Sequence, residues 1–364
     1  MNFRRHQSVL GYKYKTSNYL YTMTENTPSV EFADVEAAAA RIQAHVKHTP
    51  LLESHLLNSW MGHRILFKAE CLQTVGAFKL RGAINVLAKL KEQDQLPHAV
   101  VANSSGNHAQ AVAYAATLFG IKATIFASET ISPVKAAATQ SYGAELKLYP
   151  TRLEADAAVA HAAEDPDTLW IPPFNHPDII AGQGTAALEA LNEIDHLDAV
   201  FAPCGGGGLL SGTLIATQAL HPNAGVYGAE PAAANDASMS LQRGEIVALE
   251  HPPQTLADGA ATPSVGDITF GFLQQLTDFY EVDELQIAYW TQWLQHLLKL
   301  HVEPTCAMSM AAVASWAANT EPGKTALVML SGGNISQATM SKIWERDFLL
   351  QPPILTLDDN EEEE

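Results

Sequence analysis

Between Ala99 and Tyr149 the chain reads AVVANSSGNHAQAVAYAATLFGIKATIFASETISPVKAAATQSYGAELKLY, and the order of segments in this stretch decides the fold. Ala99 to Ala102 is a short apolar run that reads as a strand, and Gly106 to Phe119 carries an Ala-rich helical pattern stopped by Gly120. Lys122 to Ala127 reads as the next strand. Ser132 to Tyr142 follows as a helix with Pro133 at its first position and Gly143 just past its end, and Glu145 to Tyr149 as a third strand. Alternation of this kind is the signature of an α/β protein. Farther along, Ala199 to Ala202, Gly225 to Ala229 and Ala326 to Leu330 are buried-strand candidates, each feeding a polar or glycine-rich turn and then a helical stretch. Crossover helices imply parallel sheets, whose ligands sit at the carboxyl ends of the strands.

The 364 residues, 47% hydrophobic, can bury a large core in one big domain or two of ordinary size. The formal net charge is −19, and a terminal run of Asp358, Asp359 and Glu361 to Glu364 contributes six of those charges, leaving −13 without it. That excess of acid repels phosphate backbones and anionic lipid, so neither nucleic acid nor membrane is expected as a partner. Cys71, Cys204 and Cys306 are odd in number and far apart, without a CxxC pair, which points to reduced thiols and a cytoplasmic setting. No run of about 18 apolar residues is present to span a membrane. Residues 1–30 carry Arg4, Arg5, Lys13 and Lys15 with no acid before Glu25, and read either as a transit peptide or as an extension upstream of a second start at Met23. His45 with His48, and His296 with His301, lack acidic partners and read as helix or loop decoration.

Four turns carry chemistry. In Lys68-Ala-Glu70-Cys-Leu-Gln73-Thr-Val-Gly76-Ala-Phe78-Lys79-Leu-Arg81-Gly82-Ala83, Lys79 lies between apolar residues at the start of a helix, where burial lowers an amine's pKa and makes it a usable nucleophile. Asn103-Ser104-Ser105-Gly106-Asn107-His108 brings hydroxyls, an amide and free N–H groups to a helix N-terminus, which suits a carboxylate or phosphate as well as ordinary capping. Pro203-Cys204-Gly205-Gly206-Gly207-Gly208-Leu209 has too many glycines for a simple turn, and successive N–H groups without β-carbons can close on phosphate oxygens. It matches neither GxGxxG nor a GK[ST] loop. Leu330-Ser331-Gly332-Gly333-Asn334 follows a late strand and offers one hydroxyl.

In this order the four turns resemble the fold type II pyridoxal phosphate enzymes, most closely the serine/threonine dehydratase and serine racemase branch. The resemblance runs over residues 31–345 and includes His48-Thr49-Pro50-Leu51, Ala181-Gly182-Gln183-Gly184-Thr185 and Val302-Glu303-Pro304-Thr305. It implies that Lys79 holds pyridoxal 5′-phosphate as an imine, that Phe78 packs on its ring and that Asn107 bonds the ring hydroxyl. It further implies that Gly205, Gly206, Gly207, Gly208 and Leu209 cradle the phosphate, and that Ser331 meets the pyridine nitrogen. A neutral hydroxyl at that nitrogen favours elimination over transamination. The expected reaction is dehydration of L-serine, L-threonine or a similar hydroxy amino acid to a 2-oxo acid and ammonia; the alternatives are a serine racemase with dehydratase side activity and a 3-hydroxyaspartate dehydratase.

Particular residues point within the branch. Ser105, where many threonine dehydratases have alanine, offers a second acid/base opposite Lys79. Ser104, Ser105, His108, Arg152 and Thr262 are the candidate substrate contacts. Glu230, the Ala234 carbonyl and Asp236 match the branch's site for Mg²⁺ or Ca²⁺. Val75-Gly76-Ala77-Phe78-Lys79 departs from the family's Thr-Gly-Ser-Phe-Lys and lacks two hydroxyls beside the lysine. The resemblance also implies a homodimer and two lobes with the cofactor between them. The large lobe would span residues 31–97 and 177–345 and the small mobile lobe residues 98–176, followed by an acidic tail at 346–364 and no C-terminal regulatory domain.

Overall fold

The computed structural model describes residues 30–353, so most of the N-terminal extension and the run from Asp358 to Glu364 lie outside the described residues. Ten strands form two sheets. β1 (Leu51–Glu53), β2 (Arg64–Ala69), β7 (Ala199–Pro203), β8 (Gly225–Pro231), β9 (Asp278–Val282) and β10 (Thr325–Leu330) make a six-stranded sheet in the order β1-β2-β10-β7-β8-β9. β3 (Ala99–Asn103), β4 (Lys122–Ser128), β5 (Glu145–Tyr149) and β6 (Thr168–Trp170) make a four-stranded sheet in the order β5-β4-β3-β6. The α/β class and the parallel sheets read from the sequence are borne out, with one difference: β1 pairs antiparallel to β2. The connection from Glu53 to Arg64 is too short for a parallel crossover, which takes about a dozen residues or more. The predicted strands are all present; β5 has the bounds read from the sequence, and the others extend one or two residues farther, as in β3, β4 and β8.

β7 and β10 are buried at every residue, as central strands covered on both faces must be, and they read as continuous apolar runs for that reason. The sequence reading misses β1, β2, β6 and β9: β1 and β6 are short and only partly buried, β2 carries the buried charge of Lys68 within its apolar run, and β9 carries Asp278 and Glu281 on an exposed edge.

Behind the six-stranded sheet three helices pack backbone to backbone. Lys79–Glu92 meets Pro177–Leu191 at Gly82 and Gly182, where a β-carbon on Gly182 would lie 2.6 Å from the Gly82 Cα. Pro177–Leu191 meets Gly208–Leu220 at Gly184 and Gly212, where a β-carbon on Gly212 would lie 2.5 Å from the Gly184 nitrogen. The first helix opens on Lys79 and the third on the glycine loop.

Beneath the first helix lies a buried ionic network. Arg81 donates Nε and Nη2 to the Glu70 carboxylate, both at 2.8 Å, and Nη1 and Nη2 to Glu189 at 2.7 and 2.8 Å. Lys68 donates to Glu189 and to the Thr49 carbonyl, both at 2.6 Å. Burial depresses the Lys68 amine, while Glu189 pulls the other way. Two cations and two carboxylates balance, which is the condition for holding charge in a core.

Candidate active site

Lys79 begins its helix directly after Phe78, whose backbone N–H donates to the Ser331 carbonyl at 3.0 Å, so the lysine turn is laced to the end of β10. A bridge between Ala77 and Gly332 makes the same connection. The Lys79 Nζ donates to the Pro173 carbonyl at 2.6 Å and stands 5.0 Å from the Phe78 ring centroid. Pro172 and Pro173 have no N–H, so this segment cannot continue a sheet ladder and its carbonyls remain for other donors. Burial pushes the Lys79 amine down to about 8, against the opposing pull of Glu303. Such an amine is largely unprotonated under mildly basic conditions, as a nucleophile or base requires.

Asn107 opens the helix Asn107–Leu118 at the carboxyl end of β3 and reaches across to the other sheet's half of the molecule. Its Nδ2 donates to both Glu303 carboxylate oxygens at 3.0 Å, and its Oδ1 accepts from Asn334 Nδ2 at 2.9 Å. Asn334 also donates to the Val75 carbonyl at 2.8 Å. Burial and the charge of Asp258 push the Glu303 carboxyl up to about 7, with Asn107 and Lys135 opposing. Glu303 can come this close because Gly332 has no side chain: a β-carbon there would lie 2.7 Å from Oε1. Ser331, almost fully buried, has its hydroxyl 3.5 Å from the Cys306 sulfur. Sequence reasoning gives Glu303 only a supporting place behind the site and assigns no role to Asn334. The available signals were an acid placed before the helix-opening Pro304, and an amide closing the Ser331-Gly332-Gly333 turn.

The glycine loop joins β7 to the helix Gly208–Leu220, with Gly207 at φ +88°, a conformation that favours glycine. The Thr269 hydroxyl donates to the Gly206 carbonyl at 2.8 Å and pins the loop. Among the described residues, no protein group accepts the N–H of Gly205, Gly206, Gly207, Gly208 or Leu209. All but Gly205 are buried. Buried N–H groups left unpaired cost free energy, and at a helix N-terminus they form a socket for an anion. A β-carbon on Gly206 would collide with the Phe174 ring, and one on Gly205 would lie 3.1 Å from the Ala260 Cα, so the loop tolerates no side chains. These N–H groups fit the phosphate of pyridoxal 5′-phosphate.

The remaining sequence-derived residues divide by place. Ser104 accepts from the Gly106 N–H at 3.2 Å, while Ser105 is exposed and its hydroxyl has no partner among the described residues. His108 is buried, and its Nε2 lies 2.8 Å from the Ile171 carbonyl, so Nε2 carries the hydrogen and Nδ1 is left bare and unpartnered. Burial and the nearby Lys79 charge push this imidazole down to about 3, keeping it neutral. Thr262 is half-buried, with its hydroxyl 3.5 Å from the Ala260 carbonyl. Arg152 stands apart: its side chain is 53% exposed and its Nε lies 3.8 Å from Asp156 on its own helix.

Glu230 ends β8, and its carboxylate accepts from the N–H groups of Ala237 at 3.2 Å and Ser238 at 2.7 Å. Asp236 and Ala234 are buried beside it, and Asp236 Oδ2 has no partner. Among the described residues no cluster of three or more His, Cys, Asp or Glu could hold a metal, so protein oxygens here supply two carboxylates and one carbonyl.

Comparison with known proteins agrees with this geometry. A family model described as pyridoxal-phosphate dependent enzyme matches residues 42–332. An L-threo-3-hydroxyaspartate ammonia-lyase of Saccharomyces cerevisiae is 42% identical over 307 residues, 84% of this chain and 93% of its own length. The serine racemase of Bos taurus is 38% identical over 330 residues, 89% of this chain and 98% of its own. The crystal structure of a threonine deaminase from T.th. superposes with a TM-score of 0.78 at 42% identity, covering 84% of this chain and 99% of that one. With a lysine, an anion cradle and a neutral serine converging at strand ends, and with relatives that match it over most of its length, the chain belongs to the fold type II pyridoxal phosphate enzymes.

Proposed function

We propose that this protein is an ammonia-lyase that dehydrates a small β-hydroxy amino acid to a 2-oxo acid and ammonia. The observation that carries the reading is the Ser331 hydroxyl at the end of β10, next to the carbonyl that holds Phe78 and hence the Lys79 turn. Pyridoxal phosphate, when bound, supplies an electron sink for the substrate's α-carbon, and a neutral partner at its nitrogen favours loss of a β-substituent. The N–H groups of Gly205 to Leu209 would hold the phosphate, Phe78 would lie against the ring, and Asn107, positioned by Glu303 and Asn334, would meet the ring hydroxyl. Lys79 Nζ, about half unprotonated near pH 8, accepts the α-proton, and the β-hydroxyl takes up one proton and leaves as water. Hydrolysis of the unsaturated product then gives the oxo acid and ammonia. Neutral His108 orients the turn that carries Ser104 and Ser105 toward the substrate carboxylate, with Thr262 at its margin, while Arg152, exposed and paired with Asp156 on its own helix, takes no part.

Racemisation is the second reading, favoured by one observation: the Ser105 hydroxyl is exposed and unpartnered at a helix N-terminus, so it can exchange a proton on the substrate face that Lys79 does not reach. A 3-hydroxyaspartate substrate is supported by the Saccharomyces cerevisiae relative. Glu230, Ala234 and Asp236 bind a divalent cation in this reading, a role supported by the unpartnered Asp236 Oδ2. The working protein is a cytoplasmic homodimer; free Cys71, Cys204 and Cys306 are consistent with a reducing compartment. No described helix is long and apolar enough to cross a membrane.

The test is to incubate purified protein with L-serine, D-serine, L-threonine and the 3-hydroxyaspartate isomers while following both oxo acid and chirality. Dehydration should dominate. Ser105→Ala should retain reaction of the L-substrate and lose reaction of the D-isomer. Faster interconversion of serine enantiomers than pyruvate release would make racemase the primary function.

A further inference from the structure

The two sheets' halves of the molecule meet along an apolar seam, where Leu80, Ile84 and Leu87 of the helix Lys79–Glu92 share a core cluster with Val100 of β3 and Val112 of the helix Asn107–Leu118. Apolar surfaces of this kind can roll without breaking directional bonds. Among the described residues one ion pair joins the halves: the Lys135 ammonium donates to the Asp258 carboxylate.

Lys135 is the third residue of the helix Pro133–Ser141, set in place by its own N–H donating to the Ser132 hydroxyl at 3.3 Å. Its side chain is 10% exposed, against 51% for Asp258, so a buried cation is delivered to a carboxylate that faces solvent. Asp258 lies in a turn that touches three parts of the site. Gly259 N–H donates to the Thr305 hydroxyl at 3.2 Å, two residues past Glu303. Ala260 packs on Gly205 of the phosphate loop, and the Ala260 carbonyl accepts from Thr262 N–H at 2.8 Å. Asn107 is already tied across the cleft by Glu303 and Asn334, and whatever holds Lys135 against this turn adds a second tie at the other side of the small half, one that bears on how close Ser105 stands to Lys79.

We infer that Lys135 and Asp258 form a latch, a pair of positioning residues that holds the cleft closed over an amino acid substrate. The inference rests on the proposed function only for the identity of that substrate. A half-exposed pair suits the role, because it is weak enough to release when product leaves and strong enough to bias the closed state.

The experiment uses the holoenzyme and four variants: Asp258→Asn, Lys135→Met (which keeps the packed stem), Lys135→Asp, and the exchange Lys135→Asp with Asp258→Lys. The latch predicts that Asp258→Asn and Lys135→Met raise the KM for the amino acid at least fivefold, leave the affinity for pyridoxal phosphate within twofold, and enlarge the ligand-free holoenzyme in small-angle scattering. Lys135→Asp should be worse than either. The exchange should recover at least half of the lost kcat/KM and the compact scattering profile. Single variants that keep the wild-type KM and scattering overturn the inference, as does an exchange no better than Lys135→Asp alone, because a purely structural lysine is not rescued by reversing the charges. If the wild type turns over no hydroxy amino acid, the functional reading fails, and the scattering comparison still decides the latch.

Discussion

Arg81 lies two residues after Lys79, and its guanidinium satisfies two buried carboxylates at once, each through two contacts of 2.7–2.8 Å. Arg81→Met keeps the length of the stem and removes the charge, leaving Glu70, which is fully buried, without a cation in contact and Glu189 with Lys68 alone. Breaking a buried pair from one side costs about 3–5 kcal/mol, a large share of the roughly 5–15 kcal/mol that holds a domain folded. At about 2–4 °C per kcal/mol the unfolding midpoint should fall by roughly 6–20 °C, measured by calorimetry on protein stripped of cofactor. The double variant Arg81→Met with Glu70→Met replaces both partners by apolar groups and should recover at least half of that loss, since the uncompensated Glu70 charge is then gone. Cofactor affinity, followed by absorbance titration, should fall with the single variant, because the turn of helix that presents Lys79 loses its anchor. A midpoint within about 2 °C of wild type, or a double variant whose loss equals the sum of the single ones, would refute the account of the network.

Gly206→Ala should weaken pyridoxal phosphate binding at least tenfold while the circular dichroism spectrum stays unchanged, because the added methyl overlaps the Phe174 ring and disturbs a cradle of N–H donors. With Lys79 depressed to about 8, its free-base fraction at pH 7.5 is about one quarter, compared with about one in a thousand at the ordinary value. Falling pH protonates the amine, so capture of pyridoxal phosphate by stripped protein should rise with pH through a midpoint near 8 and level off about one pH unit higher; a midpoint near 10.5 would show the lysine to be unperturbed. Mg²⁺ at about one hundred times its dissociation constant should stabilise the protein by about 2.7 kcal/mol, and Asp236→Asn should abolish that gain; equal melting with chelator and with Mg²⁺ would leave an acidic turn.

The two central strands Ala199–Pro203 and Thr325–Leu330 were legible because a strand covered on both faces has no polar alternation to disguise it, whereas the parallel strands Arg64–Ala69, Thr168–Trp170 and Asp278–Val282, interrupted by charge or only partly buried, were not. The glycine loop was legible because no simple turn needs its run of four. Long-range partnerships were not. Nothing near Lys68 in sequence reveals that it pairs with Glu189, 121 positions away, and nothing near Asn107 points to Glu303, 196 positions away. A lone charged residue in an apolar stretch signals only that a partner must exist. Which one it is depends on how the two sheets face each other, and that is decided by many small packing terms spread over the whole chain.

The glycine contacts behind the six-stranded sheet have a consequence for how such an enzyme can change. With Gly82 against Gly182 and Gly184 against Gly212, the helices that begin at Lys79 and at the phosphate loop are spaced by main chain alone, and side-chain substitution cannot alter that spacing gradually. The amine and the anion socket thus form a jaw of fixed gauge, cut to the length of one cofactor. Ser104, Ser105 and Arg152 belong to the half built on the other sheet, where exchanging a side chain leaves the gauge untouched. Innovation in substrate is cheap on that half, while any drift in the gauge abolishes every activity together. Relatives named for racemisation and for ammonia loss, at 38% and 42% identity to this chain, have the distribution such a division of labour would leave behind.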